Sequence, residues 1–204
     1  MNEIKLTVEQ TRGVILASAK KDVRYYLNGS LFDFEAGRVV STDGHVLLAV
    51  NVDAVCDDVA YGQVIIPRDA LETMSKGGKV TDILTFTYDE FGLRIAREGG
   101  LSGDWKPIDG TFPEYARVFP KETNGEAAQF DPDLLARISK ALRFAVTPPK
   151  SKPVTIGNNG NNSALVFFHG YSDRGIAIVM PIRAEGSADA EVIDFWNKGE
   201  SIAA

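Results

Sequence analysis

Very little in this chain can do covalent chemistry. Its only histidines are His45 and His169 and its one cysteine is Cys56, so neither a zinc-type ligand set nor an internal disulfide can be assembled. The sequence has no phosphate-binding glycine loop and no Gly-x-Ser-x-Gly nucleophile elbow. Gly99-Gly100-Leu101-Ser102-Gly103 is glycine-rich, but no Lys-Ser or Lys-Thr pair follows, and it reads as a hairpin loop. Acidic residues form no paired-carboxylate pattern. Neither an enzyme nor a cofactor is expected. What remains is electrostatics. The chain carries 28 acidic against 22 basic residues, a formal charge of −6. A nucleic-acid binder is usually basic overall, so any contact with phosphates must come from local clustering. Such clusters exist. Arg137, Lys140 and Arg143 fall on the face of a predicted helix away from Leu135, Ile138 and Leu142; Arg68 and Lys76 sit on a second helix, and Arg12, Lys20 and Lys21 on a first. Acids gather elsewhere, at Asp53–Asp58 and Asp189–Asp194. An ordinary solvated helix face has the same composition, so the pattern alone leaves both readings open.

The elements that would carry these cations repeat three times, each a short strand, a helix and then several strands. The first passage opens at Ile4-Lys5-Leu6, and Thr7 with Gln10 has capping-box spacing ahead of a helix from about Val8 to Lys20. Its apolar stripe (Val8, Ile15, Leu16, Ala19) is imperfect. Period-two stretches follow at Arg24–Leu27, Leu31–Phe34, Arg38–Val40 and Val46–Val50, with turns at Asn28-Gly29 and Asp43-Gly44. The second passage begins with the apolar strand Gln63–Ile66. Pro67 pre-sets a helix from about Arg68 to Lys76 that buries Ala70, Leu71 and Met74, and Gly77-Gly78 ends it. Strands are predicted at Ile83–Tyr88 and Leu93–Arg97. The third passage starts at Ala128-Gln129-Phe130. Asp131 is a natural N-cap, Pro132 takes the first helical position, and Leu134, Leu135, Ile138, Ala141 and Leu142 keep helical period. Strands are predicted at Val154–Ile156, Ala164–Phe168 and Gly175–Met180. One such unit cannot bury both its helix and its sheet, whereas units stacked side by side can. With 44% apolar and 25% charged residues the chain can build a globular core. Its N-terminus lacks a signal-peptide pattern, and no apolar run approaches the roughly 20 residues of a membrane helix, so a soluble cytoplasmic protein is the expectation.

Five segments carry a family resemblance. Asp22–Leu31 (DVRYYLNGSL) resembles the opening strand pair of the middle domain of the bacterial DNA polymerase III β subunit, the β sliding clamp. Val40–Val50 (VSTDGHVLLAV) resembles that family's "ATDGHRLAV" stretch, with Val46 where the family has arginine. Val64–Leu71 (VIIPRDAL) is similar to its "IVPRKAL", Asp109–Pro120 (DGTFPEYARVFP) to its domain junction "DGKFPDYRRVIP", and Ile178–Arg183 (IVMPIR) to its C-terminal "VVMPMRL". They occur in the family's order and cover roughly residues 1–184. The resemblance implies an α+β DNA-clamp fold: repeated β-α-β-β-β units with helices on one face of antiparallel sheets. It implies a clamp domain over 1–120, a truncated clamp domain over 121–184 and a tail over 185–204, a shortened member of the sort a phage or mobile element carries.

In that family, rings of domains encircle duplex DNA without reading its bases. Carried over, this assigns phosphate contact to Arg12, Lys20, Lys21, Arg68, Lys76, Arg137, Lys140 and Arg143, loose enough to allow sliding. The family also docks polymerases and repair proteins through short peptides. The matching cleft would have Thr42, Gly44, His45 and Leu47 on one wall, Pro67 and Leu71 on a flank, and Val179, Met180, Pro181 and Ile182 on the other wall, with Phe112 as a further contributor. Implied partners are duplex DNA, a polymerase and other clamp-binding peptides, a clamp loader and further copies of the chain; twelve helices per ring would need four copies, and a dimer stays open. The tail holds Val192-Ile193-Asp194-Phe195-Trp196, either a packing segment or oligomer contact, or a mimic of a clamp-binding peptide that occupies a cleft of its own or a neighbouring copy. The competing expectation is a clamp-like interaction module, or decoy, that binds replication factors without encircling DNA.

Overall fold

The structure, a computed structural model, describes residues 1–182. The first passage is β1 (Asn2–Thr7), α1 (Val8–Ala17), β2 (Gly29–Asp33), β3 (Arg38–Thr42) and β4 (Val46–Asn51), with β5 (Ala54–Val55) appended. The second is β6 (Gln63–Pro67), α2 (Arg68–Ser75), β7 (Ile83–Asp89), β8 (Gly92–Arg97) and β9 (Leu101–Trp105). The third is α3 (Pro132–Val146), β10 (Thr155–Gly157), β11 (Ala164–Phe167) and β12 (Gly175–Val179), preceded by a single bridge between Gln129 and Ile182. Both N-terminal signals act as read. Thr7 and Gln10 form a reciprocal capping box, and the Asp131 carboxylate accepts the N–H groups of Asp133 and Leu134.

Strands are exchanged between passages. β1 leaves the first passage to pair with β7, Ile4 opposite Phe86 and Leu6 opposite Leu84, inside a five-stranded sheet of order β5-β1-β7-β8-β9. β6 leaves the second passage to pair with β2, Leu31 opposite Ile65. The second sheet then runs β10-β11-β12-β4-β3-β2-β6, antiparallel throughout, so the third passage extends the sheet of the first through β12 and β4.

This seven-stranded sheet is covered on both faces. On one lie α1 and α3, burying Val14, Ile15, Ile138, Leu142 and Val146 with Val46, Leu48, Val50 and Val179. On the other, Leu31, Val40, Leu47, Ala49 and Ile178 form a smaller core beneath Phe112, Tyr115 and Phe119. That double cover is why β4 is apolar at successive positions rather than alternating. The two helices meet through small residues: a Cβ on Gly13 would stand 2.6 Å from the Ala141 carbonyl oxygen.

Several expectations need correction. α1 stops at Ala17, three residues early, because Ser18 turns extended and donates its N–H back to Ile15. Tyr25–Leu27 is a turn of 3-10 helix, not a strand; the Asp22 carboxylate and Asn28 amide hold the loop curled through hydrogen bonds to Arg24 and the Asp22 backbone. Leu101–Gly103 belongs to β9, since only Gly99 and Gly100, both at positive φ, are needed to turn the chain. The strand expected at Ala128–Phe130 reduces to the Gln129–Ile182 bridge. Residues 185–204 and Arg183, and with them the Val192–Trp196 cluster, lie outside the described residues. Among the described residues no helix is long and apolar enough to cross a membrane, and no group of three or more His, Cys, Asp or Glu is placed to hold a metal.

Candidate functional site

The turn between β3 and β4 is built by its own side chains. Thr42 Oγ1 donates to the Val46 carbonyl at 2.7 Å and accepts the Gly44 N–H at 3.1 Å. Asp43 Oδ1 accepts the N–H groups of His45 and Val46 at 2.9 and 3.0 Å. Gly44 stands at φ +92°, a conformation that favours glycine, and a Cβ there would also push the Arg24 guanidinium, whose Nη1 would lie 2.8 Å away. Arg24 reaches the same turn, donating to the Asp43 carbonyl at 3.0 Å, while Asp22 grips its Nε and Nη2. Those hydrogen bonds from the Arg24 side chain, then from its backbone N–H, pull the Asp22 carboxyl down to about 2. Burial alone would raise the Asp43 carboxyl; hydrogen bonds from the Val46 and His45 backbone and from Arg137 overcome it and hold the group below its ordinary value.

Beside this turn lies a mainly apolar cleft of about 190 Å³. Strand β12 delivers one wall, where the Met180 N–H donates to the His45 carbonyl at 2.9 Å. Of the ten residues expected, Thr42, Gly44, His45, Leu47 and Met180 line it. The others do not, for physical reasons. Leu71 is fully buried in the main core beneath α2, and Pro67 caps α2 in register with Gly29. Val179 is fully buried on the helix side of the sheet, because neighbouring strand residues face opposite ways and the cleft face takes Ile178 and Met180. Pro181 and the half-exposed Ile182 run past the cleft, where the Ile182 N–H donates to the Gln129 carbonyl. Phe112 lines a neighbouring depression of about 370 Å³ that shares Pro113 and Tyr115 with the cleft. Arg24, Tyr26, Leu27, Val46, Pro113, Glu114, Tyr115, Val118 and Ile178 line the cleft without being among the expected residues. Strict alternation would have found Ile178, and the aromatic spacing of Phe112-Pro113-Glu114-Tyr115 would have pointed to the junction segment.

Four of the eight expected phosphate contacts converge. Lys20, Lys21, Arg68 and Arg137 line one groove of about 420 Å³, together with Asp22, Asp43 and His45. The remaining four lie elsewhere: Arg12 donates to the carbonyls of Ser75 and Gly78 near Lys76, and Arg143 donates to Pro149, Lys150 and Lys152 while stacking 4.8 Å from the Phe168 ring. Lys140 is exposed, with its Nζ 5.6 Å from the Phe144 ring centre. Two groove arginines are also engaged inside the fold. Arg68 Nη1 donates to Ile15 and Ser18 carbonyls, both at 2.7 Å, closing the frayed end of α1. Arg137 Nη2 pairs with Asp43 Oδ2 at 2.5 Å. Lys20 and Lys21 are exposed, and among the described residues neither makes such a bond.

No family model matches the chain. The beta sliding clamp of Pseudomonas aeruginosa is 36% identical over 113 residues, 52% of this chain and 29% of that protein. The beta sliding clamp of Vibrio cholerae is 31% identical over 165 residues, 78% of this chain and 44% of that protein. The chain thus spans less than half of the curated relatives it matches. The solved DNA polymerase III subunit beta of P. aeruginosa superimposes with a TM-score of 0.65 at 20% identity, over 89% of this chain and 66% of that one. The chain is a relative of the bacterial beta sliding clamps and carries their fold.

Proposed function

We propose that this chain is a DNA sliding clamp, a processivity factor that surrounds duplex DNA in a ring of its own copies and tethers a polymerase or repair protein through the cleft. In this reading residues 1–120 act as one complete clamp domain and 121–184 as half of another. The observation that carries it is the seam between β4 and β12. There a continuous sheet backs two helices on one side and opens an apolar, turn-rimmed cleft on the other. The cleft suits an extended peptide with large apolar anchors: Met180 adapts its shape, and the exposed His45 ring on the rim supplies a polar guide. Phosphate contact falls to Lys20, Lys21, Arg68 and Arg137, with Arg12, Lys76, Lys140 and Arg143 contributing at longer range. The work is mechanical rather than chemical, and no residue is assigned a catalytic role. A clamp loader is the further partner the reading requires.

The test uses two arms. A fluorescent peptide bearing adjacent leucine and phenylalanine side chains should bind the full chain, and Met180→Asp should weaken it at least tenfold, about 1.4 kcal/mol. Loaded protein should stay on circular DNA and leave linearised DNA. A second reading has one observation in its favour: Arg12, Arg68, Arg137 and Arg143 all have partners within the fold. A module that binds replication partners without encircling DNA would keep the peptide arm and lose the topological one.

A further inference from the structure

His45 lines both the apolar cleft and the cationic groove, so one turn separates the two sites. That turn is held from opposite sides by two guanidiniums. On the cleft rim Arg24 grips the Asp43 carbonyl; from α3 Arg137 grips the Asp43 carboxylate. The Asp43 carboxylate divides its work, Oδ1 closing the turn and Oδ2 facing Arg137. The second pair is accessible, with the Arg137 side chain 30% exposed and Asp43 15% exposed at the groove. Among the described residues Arg137 Nη1 makes one long contact, 3.5 Å to the Leu16 carbonyl, and Nη2 bonds Asp43.

We propose that Arg137 is shared between the turn and the groove, so that a peptide in the cleft and a phosphate in the groove oppose one another. The inference rests on the reading that the cleft takes peptides and the groove takes phosphates. A phosphate oxygen entering between Lys20, Lys21 and Arg68 competes with Asp43 for the Arg137 guanidinium, whose bond to Asp43 runs through Nη2. Drawing Arg137 to the phosphate removes the brace on the α3 side of the turn and leaves Asp43 without its partner. Conversely, a peptide lying against Thr42, Gly44 and His45 stiffens the turn, fixes Asp43 and withholds Arg137 from the duplex. Coupling of this kind is reciprocal: each ligand weakens the other by one factor. Functionally, docking a partner would loosen the hold on the duplex and ease sliding.

The experiment measures binding of the leucine–phenylalanine peptide to the full chain by anisotropy at low salt, with and without a saturating short duplex, and duplex binding with and without peptide. The unmodified chain should show each ligand weakening the other by the same factor of about five to ten, the lower part of the usual allosteric range because the pair is partly exposed. Asp43→Asn keeps an oxygen for the His45 and Val46 N–H groups but loses the ion pair; it should abolish the factor and tighten duplex binding. Arg137→Gln should abolish the factor from the other side and weaken duplex binding, and it decides the matter where Asp43→Asn does not fold. Independent binding of peptide and duplex by the unmodified chain overturns the proposal, as does a full factor retained in both variants. Peptide binding without duplex binding also overturns it while leaving the cleft intact. A chain that binds neither overturns the parent reading along with it.

Discussion

Gly13 offers the sharpest test of how the third passage is joined to the first. Replacing it with alanine sets two effects against each other. Removing a glycine from a helix interior stabilises by about 0.8–1.0 kcal/mol. The added Cβ would stand 2.6 Å from the Ala141 carbonyl oxygen, 3.1 Å from the Ala145 nitrogen and 3.2 Å from Phe144 Cβ. Ordinary contact begins at 3.4 Å, so α1 and α3 must part by about 0.8 Å at their closest point. The nearest atoms belong to backbone and cannot rotate away, which places the penalty at the upper end of the overpacking range of about 1–3 kcal/mol. The net expectation is a loss of about 2 kcal/mol for Gly13→Ala, and a larger one for Gly13→Val, whose second branch enters the same gap. With a urea slope of about 2 kcal/mol per molar, the alanine variant should unfold about 1 M earlier. Equilibrium unfolding followed by circular dichroism reads this directly. An alanine variant as stable as its parent, or more stable, refutes the close helix contact, because propensity alone would then be deciding the outcome.

Three further outcomes follow from the same geometry. Ser30 and Ser41 are both buried and their hydroxyls bond at 2.7 Å, so Ser30→Ala should cost about 1–3 kcal/mol by stranding Ser41, while the double alanine variant should recover most of that loss in a double-mutant cycle of urea midpoints. Lys20→Ala with Lys21→Ala should lower the slope of log affinity for duplex against log salt by about 2, one counterion for each lost phosphate contact, and leave peptide affinity unchanged. On pH, the folded Asp43 carboxyl titrates below its ordinary value of 3.8, so its stabilisation is complete above that value and is lost as pH falls through the lower folded one. Urea midpoints should therefore drop on acidification below about pH 4, and Asp43→Asn should flatten that part of the curve.

What the sequence disclosed, and what it hid, divides along local and non-local lines. The capping box at Thr7, the Asp131-Pro132 start of α3 and the Asp43-Gly44 turn depend on neighbours within a few residues, and each appears as read. The exchange of β1 and β6 between passages depends on partners some eighty and thirty residues away, which no local pattern encodes. The cleft shows the same division. Its turn wall was legible because the turn makes itself from Thr42 and Asp43. Its strand wall is only partly legible: pleating sends Val179 to the helix side and Met180 to the cleft, while Pro181 and Ile182 lie past the end of β12. Arg12, Arg68, Arg137, Lys140 and Arg143 are legible as helix-borne charge, although Lys20 and Lys21 fall past the end of α1; the internal engagement of Arg12, Arg68 and Arg143 is not legible. Arg12 and Arg68 answer carbonyls left open at distant helix ends, and Arg143 answers those of the loop that follows its own helix; none of these carbonyls has a sequence signature.

The register of β12 against β4 decides which chemistry the cleft can have. With Val46 opposite Val179, Ile178 and Met180 face the cleft and Val179 faces the helices. A slip of one residue would invert this, burying methionine under α3 and presenting Val179 to solvent. Two contacts forbid the slip. At one end Gly175 sits opposite Val50, where a Cβ would press to 2.9 Å from Val146 Cγ1 on α3 and 3.0 Å from the Ala49 carbonyl, so no larger residue can take its place in the register. At the other end the Met180 N–H is committed to the His45 carbonyl, on the turn that Asp43 and Thr42 hold closed. The cleft therefore depends on α3 as much as on its own lining: whatever moves α3 away from β12 releases the glycine pin, and with it the face on which Met180 is displayed.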